Sequence, residues 1–129
     1  MIKEFVPYEL AVKLKQLGFD EPCFVLYKAS NNNQLAYASH GITTNSQLSQ
    51  GDSSNIAAPT FSQAFRWFRE KYFIHGEPMY NGGLTKETAW YNYTIISNID
   101  WDNSKIKDNQ YKTYEEAELA CLDKMIEIV

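Results

Sequence analysis

The sequence has no apolar run of about 18 residues or more, the length a membrane-crossing helix requires. Its opening residues, MIKEFVPYEL, lack the apolar stretch of a secretory signal. Both absences predict a cytoplasmic protein with no membrane partner. Cysteine is nearly absent too: Cys23 and Cys121 stand far apart, and neither has the nearby second cysteine that a metal or redox pair needs. Two buried free thiols are expected. Histidine occurs only at His40 and His75, so a histidine metal centre is limited to two such ligands plus carboxylates or cysteines. Arginine occurs only at Arg66 and Arg69, and the formal charge is -4 with pI near 5.1. That balance argues against duplex nucleic acid, whose phosphates demand clustered cations. The chain also lacks a phosphate loop, a dinucleotide glycine fingerprint, an H-E-x-x-H helix and a nucleophile elbow, so no cofactor is expected. DWDNSK at 100–105 begins like a calcium loop, but Lys105 stands where the turn needs glycine and Tyr111 where the closing glutamate belongs, so no metal is expected either. Asn92, Tyr93 and Thr94 match the glycosylation tripeptide, inside a segment that reads as a strand and without a secretion signal.

What is plentiful is aromatic surface. Aromatics make up 15% of the 129 residues, within an ordinary 44% apolar and 22% charged composition that suits one folded domain over 1–129. Pro7 followed by Leu10, Leu14, Leu17 and Gly18 predicts a helix over 7–17, with Gly18 in the left-handed C-terminal position. CFVLYKAS, NNN and QLAYAS predict a hairpin across 23–39, its turn made by asparagines that tolerate positive φ. Residues 39–58, polar and serine-rich, read as a long flexible loop, of the kind that is mobile or closes over a ligand. Thr60 and Gln63 have the spacing of a capping box that opens a helix over 60–73. NGG and AWYNYTIIS predict a second hairpin with its long strand near 88–97. Thr113 with Glu116 forms another capping box, and Tyr114, Ala117, Cys121, Met125 and Ile128 make a core-facing stripe. The expected class is α+β, an antiparallel sheet from two hairpins with three helices in the order αββαββα.

APTFSQAFRWFREKYFIHGE, residues 58–77, concentrates the candidate chemistry. Phe61, Phe65, Phe68 and Tyr72 share one helical face and read as core. Arg66 and Arg69, on neighbouring turns, can grip a phosphate or carboxylate, although Glu70 can pair with Arg66 locally. Trp67 between them is expected on the opposite, partly exposed face, as an interface anchor, with Trp101 as a further contact. His75 and Glu77, just beyond the helix end, form the only candidate acid/base pair, with Asp100 and Asp102 as other carboxylates.

FVPYELAVKLKQLGFDEPCF, APTFSQAFRWFREKY and YKTYEEAELACLDKMIEI resemble segments of a group of small uncharacterised proteins of bacteriophages and bacterial mobile elements. The resemblance implies an accessory protein acting in the cytoplasm of a bacterial host cell, and carries over no catalytic residue. With the missing catalytic motifs, it leads to the expectation of a non-enzymatic binding module acting on a host protein through Arg66, Trp67, Arg69 and Trp101. The alternatives are sequestration of an anionic nucleotide-like ligand by Arg66, Arg69 and aromatics, at a pocket that a homodimer interface can supply, and an acid/base enzyme using His75 and Glu77.

Overall fold

Local signals in the sequence become four α-helices and two antiparallel sheets in the computed structural model, which describes residues 2–97 and 110–129. The chain is therefore α+β, and its described residues divide into two contact units, Met1–Gln63 and Ala64–Val129, with the division falling inside a helix.

The first unit opens with a short 3-10 turn and α1 (Tyr8–Gln16). Pro7 sits one position outside the helix at ψ 157°, where its carbonyl accepts the Ala11 N–H at 2.9 Å. Gly18, at φ +96°, ends α1 in the expected left-handed geometry. Its N–H reaches the Lys15 carbonyl, and the Phe19 N–H reaches back to Leu14 at 2.9 Å, a Schellman closure. The hairpin follows as β1 (Val25–Lys28) and β2 (Gln34–Tyr37), with Asn32 and Asn33 at positive φ in the turn.

Residues 39–58 differ from the structureless loop expected of them. They hold α2 (Asn45–Gln50) and β3 (Ile56–Ala58), and β3 pairs antiparallel with β1 to give the sheet order β2-β1-β3. The cause is a capping box: Thr44 Oγ1 accepts the Gln47 N–H at 3.1 Å, and Gln47 Oε1 accepts the Thr44 N–H at 3.2 Å. Asn45, buried at 5% exposure, then ties α2 to the rest. Its Nδ2 donates to the Phe19 carbonyl at 2.8 Å, and its Oδ1 accepts the Ala57 N–H at 2.9 Å. Asp20 adds a second tie, its carboxylate accepting both the N–H and the hydroxyl of Ser46, which holds it below the usual carboxylate range. Val6, Leu14, Phe19, Val25 and Ala57, each nearly inaccessible, form this unit's core.

α3 (Phe61–Tyr72) crosses the division. Thr60 Oγ1 accepts the Gln63 N–H at 3.1 Å, but the Gln63 amide does not return to Thr60; its Nε2 donates to the Pro22 carbonyl instead, so half of the expected box is made. In the second unit β4 (Ile74–Gly82) and β5 (Trp90–Ser97) form the second hairpin, longer on its first strand than the glycine signal suggested. α4 (Tyr114–Ile128) packs on it through Ala117, Cys121, Leu122, Met125 and Ile126. Tyr114, placed in the core stripe by spacing, is 44% exposed; Leu122 and Ile126 take up the burial that it and Ile128 were expected to supply. Thr113 Oγ1 accepts the Glu116 N–H at 3.1 Å, while the Glu116 carboxylate takes the N–H of Lys112, one residue further out than a capping box requires. No helix among the described residues is long and apolar enough to cross a membrane.

Candidate functional site

α3 sorts its residues by the 3.6-residue period. Phe61, Phe65 and Phe68 are buried as expected, but so is Trp67, at 6% exposure, because Ala64 and Trp67 widen the apolar stripe. Within its own unit the Trp67 ring meets Phe68 and Tyr72 edge-on at 5.2 and 5.5 Å, and the Lys71 ammonium lies 4.9 Å from its centroid. Trp67 is a core residue and not an exposed anchor. Arg66 and Arg69 do face solvent on the polar side, and among the described residues Arg66 forms no ion pair with Glu70. Trp101, Asp100 and Asp102 lie outside the described residues, as does most of the calcium-like stretch.

His75 and Glu77 are not in a loop past a helix end. Both are in β4, two positions apart on one face and exposed, with Thr94 and Ile96 of β5 opposite. The His75 ring packs edge-on against Phe73 at 5.0 Å. Phe73 ends α3 at φ +55°, a left-handed conformation unusual for so bulky a residue, with its ring 60% exposed. The two thiols are buried as expected, and desolvation pushes each up to about 12. Neither is a nucleophile at neutral pH. Asn92, the glycosylation candidate, is 2% exposed in β5, and its Oδ1 has no hydrogen-bond partner among the described residues.

The second unit carries a feature that spacing did not reveal. An open cleft of about 780 Å³ lies between the β4–β5 connection and the start of α4. Tyr80 and Tyr91 are directly opposed in the hairpin register, their rings 5.8 Å apart, and Tyr91 meets Tyr114 at 6.3 Å and 88°. Three tyrosines from three elements thus form one ladder in the wall. The Tyr91 backbone exchanges two 2.8 Å hydrogen bonds with Tyr111, which fixes the start of α4 beside β5. The opposite rim, 83–89, is a tight turn: Gly83 has φ +90°, Thr88 Oγ1 accepts the Thr85 N–H at 3.1 Å, and the Ala89 N–H reaches the Thr85 carbonyl at 2.9 Å. Only glycine fits position 83, since a Cβ there would lie 2.1 Å from the Thr88 carbonyl oxygen. Leu84 stands fully exposed on this rim.

Charge in the cleft is mixed, with Lys86 and Lys112 against Glu87 and Glu115. The lining contains neither histidine nor cysteine, and the Tyr114 phenol is raised above its ordinary value, first by desolvation and then by Glu118 and Glu77. Aromatic faces, hydroxyls and a balanced rim suit recognition of an uncharged or mixed-charge surface better than proton transfer near neutrality. The sequence does hold a trace of this site, since NGG is flanked by Tyr80 on one side and WY at 90–91 on the other. Compared with protein-family models, curated proteins and solved structures, the chain matches none.

Proposed function

We propose that the chain is a non-enzymatic binding module that engages another protein, taking an extended segment of it in the tyrosine cleft. The observation that carries this reading is the ladder of Tyr80, Tyr91 and Tyr114 beside the exposed Leu84, a grouping of rigid amphipathic rings of the kind that dominates recognition surfaces. The resemblance to phage and mobile-element proteins makes a host protein of the bacterial cytoplasm the partner class, in keeping with the lack of a membrane-crossing helix among the described residues. Affinity capture from bacterial lysate, followed by calorimetry with the purified partner, tests it. The Tyr80→Ala, Tyr114→Ala double variant should bind at least about tenfold more weakly, a loss of roughly 1.4 kcal/mol or more. Equal affinity for wild type and variant overturns the cleft as the contact.

Arg66 and Arg69 favour a second reading, an anionic nucleotide-like ligand, because both are exposed on α3. The burial of Trp67 removes the ring expected to stack on a base between them. Thermal shift against a nucleotide panel, with Arg66→Ala, Arg69→Ala as comparison, decides it. A saturating ligand at about a hundred times its Kd adds roughly 2.7 kcal/mol. No shift for any nucleotide rejects this reading.

A further inference from the structure

NGG at 81–83, which the sequence presents as a turn signal, begins inside β4 and holds the only Asn-Gly step of the chain. Tyr80 pairs with Tyr91 and Gly82 with Trp90, so Asn81 is the extra residue of a bulge and has no partner across the hairpin. Asn81 is exposed, and its side chain makes no hydrogen bond among the described residues. Other asparagines are held: both amide atoms of Asn45 are engaged, and Asn55 Oδ1 accepts the Ala29 N–H at 2.9 Å. Gly82 has a structural reason of its own, since a Cβ there would lie 2.5 Å from Trp90 Nε1. That choice leaves the Gly82 nitrogen with no side chain to obstruct an approach from the preceding residue.

A fully extended residue holds its side-chain carbonyl carbon away from the next backbone nitrogen. A bulged residue is released from the ladder and commonly leaves the extended region, which brings the two closer. We propose that Asn81 is a self-modifying site, which closes on Gly82 to a succinimide and opens with water to aspartate and isoaspartate. In the first step the Gly82 nitrogen attacks Asn81 Cγ. The N–Cγ bond forms, the Cγ–Nδ2 bond breaks, and the Gly82 amide proton leaves with ammonia. Water then adds at one of the two ring carbonyls. Opening at Cγ gives aspartate, and opening at the main-chain carbonyl gives isoaspartate, whose backbone runs through Cβ and Cγ. Neither step changes an oxidation state, and water is the one co-reactant. Tyr80 and Gly83, on either side of the step, line the tyrosine cleft. Either product adds a negative charge beside a rim of balanced charge. Isoaspartate also adds a methylene to the backbone at the bulge, where the register that opposes Tyr80 to Tyr91 is set.

The test incubates the full chain at neutral pH, folded and in urea, and follows each asparagine by peptide mass spectrometry. Asn81 should convert in the folded protein within about tenfold of its rate in the unfolded chain, because the fold leaves it open. Asn45, followed by the equally small Ser46, should convert at least about tenfold more slowly folded than unfolded. Heavy-oxygen water should leave one heavy oxygen at position 81, and chromatography should resolve both aspartate and isoaspartate there. Asn81→Gln, which would need a larger ring, should stay unmodified with unchanged circular dichroism. An Asn81 that survives in the folded protein while the unfolded chain converts overturns the proposal. So does a product that is aspartate alone, which would mean direct hydrolysis with no ring.

Discussion

Gly76 occupies a place in β4 where α4 comes close against the strand backbone. A Cβ there would lie 2.3 Å from Met125 Sδ and 2.9 Å from Cys121 Sγ, so Gly76→Ala forces a buried methionine to move. Overpacking of this kind costs about 1–3 kcal/mol, and Met125→Ala in the same background should recover part of it, because a double-mutant cycle couples residues in contact. Urea denaturation of the four proteins measures the coupling, and strict additivity would mean that the clash is relieved elsewhere. The thiols permit a second prediction at this scale. With both buried and raised to about 12, neither Cys23 nor Cys121 should react with a thiol reagent at pH 8 in the folded protein, while both react after unfolding in urea. Burial of these cysteines was legible from their apolar neighbours and lack of partners. The burial of Trp67 was not, because a stripe drawn through Phe61, Phe65, Phe68 and Tyr72 leaves its width undefined, and Ala64, too small to signal a face, extends it.

Between residues 39 and 58, α2 exists because of its cap and its tether and not because of propensity or a long apolar face. Thr44→Ala should therefore cost about 1 kcal/mol, the usual loss for an N-cap. Asn45→Ala should cost more, about 2–4 kcal/mol, since it strands the Ala57 N–H in a buried setting and takes a donor from the Phe19 carbonyl. Chemical denaturation ranks the two, and the reverse order would show that the tether is expendable. Thr44–Gln47 has the same spacing as Thr60–Gln63 and Thr113–Glu116, the signals that mark the starts of α3 and α4. The spacing alone does not mark a helix there, because only Leu48 supplies apolar content within the six residues of α2 and no periodicity accompanies it. The tyrosine cleft was illegible for a different reason. Tyr80 and Tyr91 meet through hairpin register and Tyr114 arrives from a separate element, and single-sequence spacing specifies neither event.

At the scale of the molecule, the titrating groups among the described residues that folding perturbs most are acids raised by burial: Cys23, Cys121 and Tyr93, each up to about 12. Unfolded thiols titrate near about 8.5 and phenols near about 10, so above those values the unfolded chain has lost protons that the folded chain keeps. Stability should be fully present below about pH 8.5 and fall as pH rises towards about 12. Urea midpoints at neutral pH and at about pH 10 measure the slope, which Cys121→Ala should flatten; a midpoint independent of alkali would contradict the burial of all three. The seam between Gly76 and α4 has a consequence for oxidative chemistry as well. Met125 is inaccessible, its sulfur 3.9 Å from Cys121 Sγ, with the strand backbone against both, so a sulfoxide oxygen finds no space there. Peroxide should leave the closed protein unmarked at this position and oxidise Met125 only in molecules that have opened, which then cannot close again. Each oxygen found at Met125 by mass spectrometry would thus be a lasting record that one molecule had once come apart.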